Sequence, residues 1–406
     1  MGCLKVLAIS MSVLMIGLSA YLYTPVPDDM TEPWKLRSIL AAFKMVKLIS
    51  GVSEMVGLGS SVNVTRGLIK MFSTQAVASK SDPLLKVTDT RLSGIPVRIY
   101  RPKSAPTPSP ALVYFHGGGW IFGSVDQYDE FTAEIAKAAN IVVMSVEYRL
   151  APEHPFPIPF EDCVTATLHL LQNPQQYGVD GNRIAVGGDN AGGNLAAGVA
   201  MMLNSNPQLP DTVYQVLLYP PLQPFNLQLP SYTDTGNHYL YTGLDHATFW
   251  SHYIGPTSHP NLPKAMTQNQ HVSPEMKTSH FAELVDVKNF PKNYYDGEWK
   301  MDTESGNETL WSEIESQVIN PYLSPLLGHE IEKVPPALVV TAQFDVLRDE
   351  GVLYVERMRK AGIDVTHRHY PIIHGLLETN AFEICRKARK EIYQDIKAFF
   401  HPDSKE

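Results

Sequence analysis

Short uncharged apolar runs alternate with amphipathic stretches over most of the chain. Runs rich in β-branched residues predict buried strands, and stretches whose apolar positions recur with the helical period predict helices. Because most of the predicted strands lack a polar face, the pattern indicates an α/β fold with a mostly parallel sheet covered by helices on both faces. The predicted strands are Ala111–Phe115, Ile141–Val146, Ile184–Val186, Val213–Leu218, Ala337–Thr341 and Val365–Tyr370, and the predicted helices are Tyr128–Ala139, Phe160–Leu171, Ala191–Leu203, Glu350–Ala361 and Ala381–Phe400.

A helical region precedes this alternation. Residues 26–85 are predicted to form helices, with breaks at Gly51, Gly57 and Gly59. Val87–Tyr100 then predicts two short strands joined by a tight turn. The sheet is therefore expected to begin only after the amino-terminal helices.

One long segment interrupts the alternation. Residues 224–320 are aromatic-rich, polar and without a clear period, which indicates an insertion between strands. The sheet domain would then consist of residues 86–223 and 321–406. Because open α/β sheets bind ligands at the carboxyl ends of their strands, we expect the insertion and the helices of residues 26–85 to form a helical lid there.

The first apolar segment is of a different kind, because Val6–Tyr23 contains no charged residue. As a helix it would measure roughly 27 Å, against about 30 Å for the apolar core of a bilayer. Two interpretations stay open. One is a signal anchor in residues 1–25 with the body of the protein in the lumen, and the other is a signal peptide cleaved near Gly17-Leu18-Ser19. The anchor is favoured, and the lack of a polar face argues against a buried core helix.

Two sequons are compatible with a lumenal body. They are Asn63-Val64-Thr65 and Asn307-Glu308-Thr309, which make Asn63 and Asn307 the candidate glycosylation sites. Chance matches are expected at a similar frequency in a chain of this composition. The sequons alone therefore do not establish the compartment.

Composition and charge exclude several classes of function. With 44% hydrophobic and 18% charged residues, the 406-residue chain can build a large core. The net charge is −9 and no Lys/Arg stripe is present, so nucleic acid is not an expected partner. Three cysteines do not make a disulfide scaffold. The sequence contains no metal-ligand spacing and no nucleotide motif, so neither a metal nor a cofactor is expected, and it gives no indication of oligomeric state.

Three consecutive glycines follow the predicted strand Ala111–Phe115, between His116 and Trp120. Such a run allows the backbone to turn tightly and brings its N–H groups close to a ligand. In acyl-transfer enzymes these N–H groups form an oxyanion hole, which stabilises charge on the carbonyl oxygen. Gly117–Gly119 is therefore a candidate oxyanion loop. An ordinary glycine turn is the alternative, but the flanking His and Trp favour the oxyanion loop.

A second glycine motif, Gly188–Gly192 (GDNAG), joins the predicted strand Ile184–Val186 to the following helix. This is the place of the nucleophile elbow G-x-S-x-G, in which a sharp turn between strand and helix exposes a serine. Gly188 and Gly192 would permit the turn and the close packing around it. Only the central residue departs from the motif, because it is Asn190.

An acid and a histidine complete the candidate constellation. Asp345 comes just after the predicted strand Ala337–Thr341, and His374 comes just after Val365–Tyr370. Hydrolases of this fold carry nucleophile, acid and histidine in this order along the chain. Asp349 is an alternative acid, but Asp345 is preferred because it is nearer to the strand end.

Together these motifs resemble the hormone-sensitive-lipase group of α/β-hydrolases, and within it arylacetamide deacetylase and its relatives. The resemblance extends over nearly the whole chain. It implies the α/β-hydrolase fold and a membrane-anchored, lumenal esterase of the endoplasmic reticulum that acts on lipid esters, aryl esters or acetamides. The matching segments are Tyr23–Pro25, His116–Trp120, Tyr148–Glu153, Gly187–Gly193, Asp345–Gly351 and His374-Gly375.

The resemblance also implies a role for each candidate residue. The backbone N–H groups of Gly117, Gly118 and Ala191 would form the oxyanion hole. Asp345 and His374 would be the acid and the base. The nucleophile of the family, a serine, would fall on position 190.

An asparagine at this position changes the expected chemistry. A serine attacks the carbonyl carbon after the histidine removes its proton, whereas the amide of Asn190 has no proton that His374 can usefully remove. Loss of a triad nucleophile costs about 10⁶ in turnover, so an ordinary acyl-enzyme mechanism is not expected. The fold should tolerate the change, because asparagine accepts a positive φ and is a good helix N-cap.

Several hypotheses stay open at this point. The chain is an ester or arylacetamide hydrolase by family with impaired or absent activity, or it binds lipid-like or aryl ligands in a lidded pocket without turnover. Alternatively, Asn190 is a variant of, or an error for, a native serine. Direct attack by a water that His374 activates is less well supported. Asp189 as nucleophile is weaker still, because the neighbour of the elbow residue should point away from the pocket.

Overall fold

The uncharged apolar runs form neighbouring strands of one eight-stranded sheet in the computed structural model. The strands are β1 (Leu85–Leu92), β2 (Ile95–Pro102), β3 (Ser109–Phe115), β4 (Val142–Val146), β5 (Val179–Asp189), β6 (Gln215–Leu218), β7 (Ala337–Phe344) and β8 (Val365–Ile373). Their order across the sheet is β1-β2-β4-β3-β5-β6-β7-β8. The pairs β1–β2 and β2–β4 are antiparallel, and the other neighbours are parallel. The predicted α/β class with a mostly parallel sheet is thereby confirmed.

Two units are distinguished along the chain. The first comprises residues 1–75 and 381–384, and the second comprises residues 76–380 and 385–406. The second unit contains the whole sheet and all the candidate catalytic residues. The structure describes residues 2–26, 30, 32–72, 78–234, 236, 239–259 and 261–402.

Burial explains why the central strands read as continuous apolar runs. Every position of β3, β4 and β6 is buried, whereas the edge strand β1 is mostly exposed or half-buried. The strand β5 is longer than its apolar run predicts, since it begins at Val179 and not at Ile184. Its pairing with β3 continues past an irregularity as far as Ser109, so backbone hydrogen bonds extend the strand through polar residues.

Helices of the second unit cover the sheet. They agree with the predicted helices to within a few residues at each end. The helices that match the predicted ones are α4 (Asp129–Ala139), α5 (Ile158–Gln172), α6 (Ala191–Ser205), α12 (Arg348–Lys360) and α13 (Glu383–Phe400), the last of which begins in the first unit.

The insertion between β6 and β7 contains short helices that its sequence pattern did not predict individually. Two buried acidic residues at the start of α12 form hydrogen bonds that hold the first part of the insertion against the sheet domain. Asp349 accepts hydrogen bonds from the N–H of Ser231 at 2.7 Å and from the hydroxyl of Tyr294 at 2.9 Å. Glu350 accepts one from the hydroxyl of Tyr232 at 2.7 Å. The helices are α7 (Pro230–Thr233), α8 (Gly243–Ile254), α9 (Leu262–Thr267), α10 (His280–Leu284) and α11 (Glu308–Val318).

The first unit consists of α1 (Gly2–Leu22), α2 (Pro33–Met55) and α3 (Ser61–Phe72). The link between α2 and α3 contains Gly57 and Gly59, both with positive φ, where breaks are predicted. The predicted break at Gly51 is wrong, because this residue lies inside α2. One glycine costs a helix only about 1 kcal/mol relative to alanine, which the rest of α2 can offset. Ser50 and Thr65 join α2 to α3 through a hydroxyl–hydroxyl bond of 2.7 Å.

Apolar side chains on α1 are largely exposed, as Ile9, Leu14 and Ile16 illustrate. Within the described part of the chain, no helix combines the length and the apolar character that a membrane crossing requires. The signal anchor and the lid role of residues 26–85 both stay predictions.

Candidate active site

The elbow lies between β5 and α6, and its centre is Asn190. This residue has a φ of +47°, in agreement with the expectation that the turn needs a residue tolerant of positive φ. Its N–H donates to the carbonyl oxygen of Leu218 at 2.9 Å, which ties the turn to the neighbouring strand β6. A Cβ atom at Gly192 would overlap the carbonyl group of Phe115. Only glycine therefore allows the first turn of α6 to pack so closely on the end of β3.

The side chain of Asn190 does not cap α6, so the expectation from its N-cap propensity is wrong. Its Nδ2 lies 2.7 Å from Nε2 of His374. Its Oδ1 accepts a hydrogen bond from the N–H of Gly119 at 2.9 Å. Both polar atoms of the carboxamide are engaged inside the site, which leaves neither to cap the helix.

His374 and Asp345 follow β8 and β7, which are parallel neighbours, so both residues emerge at the same edge of the sheet. Nδ1 of His374 lies 2.8 Å from Oδ2 of Asp345, and the N–H of Leu347 donates to Oδ1 at 2.8 Å. With Nδ1–H donated to the carboxylate, Nε2 keeps a lone pair and accepts Nδ2–H of Asn190. Asp349, the alternative acid, contacts the insertion and not this histidine.

The oxyanion loop corrects one assignment made from the sequence. The N–H of Gly117 was predicted to point into the site as an oxyanion donor. It instead donates to Oδ1 of Asp189 at 3.0 Å. The N–H of Gly119 takes that place, because it reaches the carboxamide of Asn190. Gly118 lies between them with a φ of +115°.

Two further features fix the shape of this end of the site. Gly119 has a φ of +62°, and a Cβ atom there would lie 2.8 Å from Cγ of Phe249, so glycine is required. Ala191 is the first residue of α6, as the prediction of its N–H as an oxyanion donor requires. The donor roles of Gly118 and Ala191 stay predictions.

His116 supports the loop and is not part of the reacting group. Its ring stacks on Tyr148 with centroids 4.4 Å apart, and the hydroxyl of Tyr148 donates to the carbonyl oxygen of His116 at 2.7 Å. Burial lowers the pKa of His116, which favours the neutral imidazole. The residue therefore contributes packing and a fixed loop path.

Asp189 points away from Asn190 and into a buried polar cluster, which agrees with the argument against it as a nucleophile. It accepts hydrogen bonds from the hydroxyls of Tyr114 and Tyr128, each at 2.7 Å. Nearby, the carboxyl group of Glu378 accepts a hydrogen bond from the hydroxyl of Tyr219. Burial, followed by the nearby negative charge of Asp189, raises the pKa of Glu378 to about 8. Burial likewise raises the pKa of Asp189.

Aromatic side chains surround the imidazole of His374. The ring of Tyr219 lies 4.7 Å from it between centroids, and the ring of His246, from α8, meets it edge-on at 5.4 Å. Tyr241 lies 6.0 Å away. Asn190 is 7% and His374 is 4% exposed, so this edge of the sheet is covered by part of the insertion.

Sequence reasoning missed three contributors to this site. Glu378 follows His374 closely in the chain, but no sequence motif indicates that its carboxyl group lies near that of Asp189. His246 and Phe249 lie in the insertion, where the absence of a period gave no signal. The two residues are three positions apart in α8, so their side chains lie on the same face of this helix. That face covers the edge of the sheet.

The arrangement has the parts of an acyl-transfer site except the attacking atom. A base oriented by a carboxylate faces the elbow, and a backbone N–H faces the carbonyl group lodged there. Across the residues that the structure describes, no group of His, Cys, Asp and Glu side chains forms a metal site. Asn307 caps α11 by accepting a hydrogen bond from the N–H of Leu310 at 3.0 Å, and its glycosylation stays a prediction, as does that of Asn63.

Comparisons with known proteins agree with the fold. The family described as alpha/beta hydrolase fold matches residues 112–287 and 272–377. Arylacetamide deacetylase of Oryctolagus cuniculus is 36% identical, over 92% of this chain and 94% of its own length. Neutral cholesterol ester hydrolase 1 of Bos taurus is 31% identical, over 88% of this chain and 89% of its own length. A hyperthermophilic esterase from the archaeon Pyrobaculum calidifontis, a solved structure, gives a TM-score of 0.64 at 29% identity, over 87% of this chain and 97% of that chain.

The matched segments include the elbow, the oxyanion loop and the acid–histidine pair. The relatives at 30% identity or more extend over nearly the whole chain. Sequence, fold and site thus lead to one assignment: this chain belongs to the α/β-hydrolase family, as an arylacetamide-deacetylase-like member of its hormone-sensitive-lipase group.

Proposed function

We propose that this chain is a carboxylic-ester or arylacetamide hydrolase by family whose acyl-transfer chemistry is severely impaired at the nucleophile position. One observation carries the proposal. The carboxamide of Asn190 is held between the N–H of Gly119 and Nε2 of His374, where a serine would present its hydroxyl to the same histidine.

The carboxamide opposes acyl transfer in two ways. Its nitrogen lone pair is delocalised into the carbonyl group, so Nδ2 is not a nucleophile and forms no stable acyl intermediate. Its Oδ1 also takes the hydrogen bond of Gly119, which would otherwise stabilise a substrate oxyanion. Asn190 therefore lacks the attacking atom and occupies part of the stabilising site.

The rest of the machinery is assembled around this residue. His374 is oriented by Asp345, and the elbow backbone is in the required conformation. Removal of a triad nucleophile typically costs about 10⁶ in turnover, and roughly 10³ over the reaction in water remains from the oxyanion hole and binding. We therefore expect very slow hydrolysis from this chain and a large gain when a hydroxyl is supplied.

Asn190→Ser tests the proposal, with Asn190→Ala as its matched control. Both remove the carboxamide, but only the first provides a hydroxyl for His374. With p-nitrophenyl acetate and butyrate, we expect kcat of Asn190→Ser to exceed that of the parent by roughly 10⁴- to 10⁶-fold. Asn190→Ala frees the N–H of Gly119 but supplies no hydroxyl, so its kcat should stay far below that of Asn190→Ser, and adding His374→Ala to Asn190→Ser should abolish the gain.

Two outcomes would contradict this account. Hydrolysis by the parent at the rate of an ordinary esterase, lost in His374→Ala, would show that Asn190 does not impair the site. An inert Asn190→Ser variant, together with tight binding of an aryl or lipid ester by the parent, would favour the alternative function of a ligand-binding protein on the hydrolase scaffold.

We propose separately that the amino-terminal segment anchors the protein in the membrane of the endoplasmic reticulum, with the sheet domain in the lumen. The exposed apolar side chains of α1 support this, because an apolar surface of this kind favours lipid over water. After expression in cells, the protein should stay with membranes through carbonate extraction, and removal of residues 1–25 should release it. Release of the full-length product would favour a cleaved signal peptide.

A further inference from the structure

The side chain of Asn190 is held as this site would hold an amide substrate. Its carbonyl oxygen accepts the hydrogen bond of Gly119 at 2.9 Å, and its nitrogen lies 2.7 Å from the base His374. Amide hydrolysis requires these two contacts, one to polarise the carbonyl group and one to protonate the leaving nitrogen. The chain therefore carries an amide bond of its own inside its active site.

We propose that Asn190 is a self-modification site, at which His374, oriented by Asp345, hydrolyses the side-chain amide to give aspartate. The proposal rests on the proposed function, because the groups that act on Asn190 are those that would act on an external ester or amide. Water is the only co-reactant. His374 is the catalytic residue of this step, and Asp345 is a positioning residue.

The atoms balance in two stages. Nε2 of His374 exchanges its hydrogen bond from Nδ2–H for one from a water molecule, and it removes a proton from this water as the water oxygen bonds to Cγ of Asn190. Negative charge then develops on Oδ1, which the N–H of Gly119 already contacts. His374 returns the proton to Nδ2, the Cγ–Nδ2 bond breaks, and ammonia leaves behind a carboxylic acid that ionises. Nothing is oxidised or reduced.

The geometry favours the return of the proton and the product. Nε2 lies close enough to Nδ2 to protonate it without a change of rotamer. An aspartate at the elbow would accept charge-assisted hydrogen bonds from the N–H of Gly119 and from a protonated His374, while Nδ1–H stays on Asp345. The carboxamide can form only neutral hydrogen bonds with the same partners.

The chain offers an internal comparison in α6, the helix that follows Asn190. Asn194 is fully buried there, one turn after Asn190, and its Nδ2 donates to the carbonyl oxygens of Pro221 and Leu323 at 2.9 and 2.8 Å. Its amide nitrogen is bonded to backbone carbonyls and not to an imidazole. Asn194 therefore reports the conversion of a buried amide that lacks the base, and the dependence on His374 separates the proposed step from spontaneous deamidation.

The product also identifies the route. Deamidation through attack of the following backbone nitrogen, here that of Ala191, passes through a cyclic imide and gives isoaspartate along with aspartate. Direct hydrolysis by water leaves the backbone intact and gives aspartate alone. The proposed step therefore predicts aspartate without isoaspartate at position 190.

The experiment incubates the full, folded chain in oxygen-18-labelled water and follows it by mass spectrometry of peptides prepared after denaturation, with fragmentation to separate positions 190 and 194. We expect Asn190 to convert at least roughly 10²-fold faster than Asn194, with one labelled oxygen and no isoaspartate. His374→Ala and the isosteric Asp345→Asn should each slow conversion at Asn190 toward the rate at Asn194. Thermal unfolding of both variants checks that they are folded.

Conversion at position 190 no faster than at 194, isoaspartate at 190, or conversion unaffected by both variants would overturn the proposal. Its failure is separable from failure of the proposed function. A stable Asn190 amide leaves the gain of esterase activity in Asn190→Ser untouched, whereas an inert Asn190→Ser variant beside His374-dependent deamidation would refute the proposed function alone.

Discussion

At the level of single residues, Asn190 shows that the conformation of the elbow and its chemistry depend on different atoms. The positive φ and the N–H bond to Leu218 involve only main-chain atoms, and any residue that tolerates this conformation can keep them. The attack on a carbonyl carbon depends on one side-chain atom. Asparagine replaces that atom with an amide, which the site binds through Gly119 and His374. We therefore expect an asparagine here to be mild for folding and severe for turnover.

A second residue-scale feature is the pair of carboxyl groups beneath the elbow. Asp189 holds the oxyanion loop through the N–H of Gly117, and Glu378 lies just after the segment that carries His374. Burial, followed by the negative charge of Asp189, disfavours the ionised form of Glu378 and raises its pKa.

This pair predicts a pH dependence of stability. The pKa of Glu378 is raised from 4.5 to about 8 in the folded protein, so the folded state binds a proton that the unfolded state has lost between these values. Stability from this group is fully present below pH 4.5 and declines as the pH rises to about 8. In Glu378→Gln this decline should be absent. Free energies of unfolding from urea titrations between pH 5 and 9 measure it, and parallel curves for the two proteins would contradict the assignment.

At the scale of elements, the helix α8 covers the reacting groups. Phe249 lies against Gly119, and His246 lies against His374, so both ends of the site contact the same helix. The low exposure of Asn190 follows from this cover. A substrate therefore needs α8 or its flanking segments to move before it can reach the elbow.

Access can be tested in the Asn190→Ser background by substitution on α8. Phe249→Ala removes the ring that covers Gly119, so labelling by a fluorophosphonate should become several-fold faster, on the order of 3- to 10-fold. Leu244→Ala is the matched control, since Leu244 belongs to the same helix and is 52% exposed. Equal labelling rates for the two variants would show that α8 does not limit access.

The elements also show which sequence signals were sufficient. Buried strands such as β3 were predicted because their burial on both faces leaves an uninterrupted apolar run. The start of β5 was missed because the segment of residues 180–183 (DGNR) separates its first residue, Val179, from the apolar run at Ile184. Gly51 predicts a break because helix propensity is local, whereas α2 is held by its whole length and by α3.

In the whole molecule, the site is formed by segments that are far apart in the sequence. The elbow, the acid and the histidine could be predicted because each follows a recognisable strand, and parallel strands end at one edge of the sheet. The choice between Gly117 and Gly119 could not, because it depends on the buried carboxylate of Asp189 taking one N–H group. His246 could not be predicted either, since its contact with His374 arises from how α8 packs.

We attribute the proposed loss of turnover to position 190, where a carboxamide stands in place of an attacking hydroxyl. Intact mass spectrometry after treatment with a fluorophosphonate tests this attribution, using the parent, Asn190→Ser, and Asn190→Ser combined with His374→Ala. We expect a single stoichiometric adduct on Asn190→Ser at the substituted residue, and none on the parent or the double variant. A His374-dependent adduct on the parent, or no adduct on a folded Asn190→Ser variant, would contradict it.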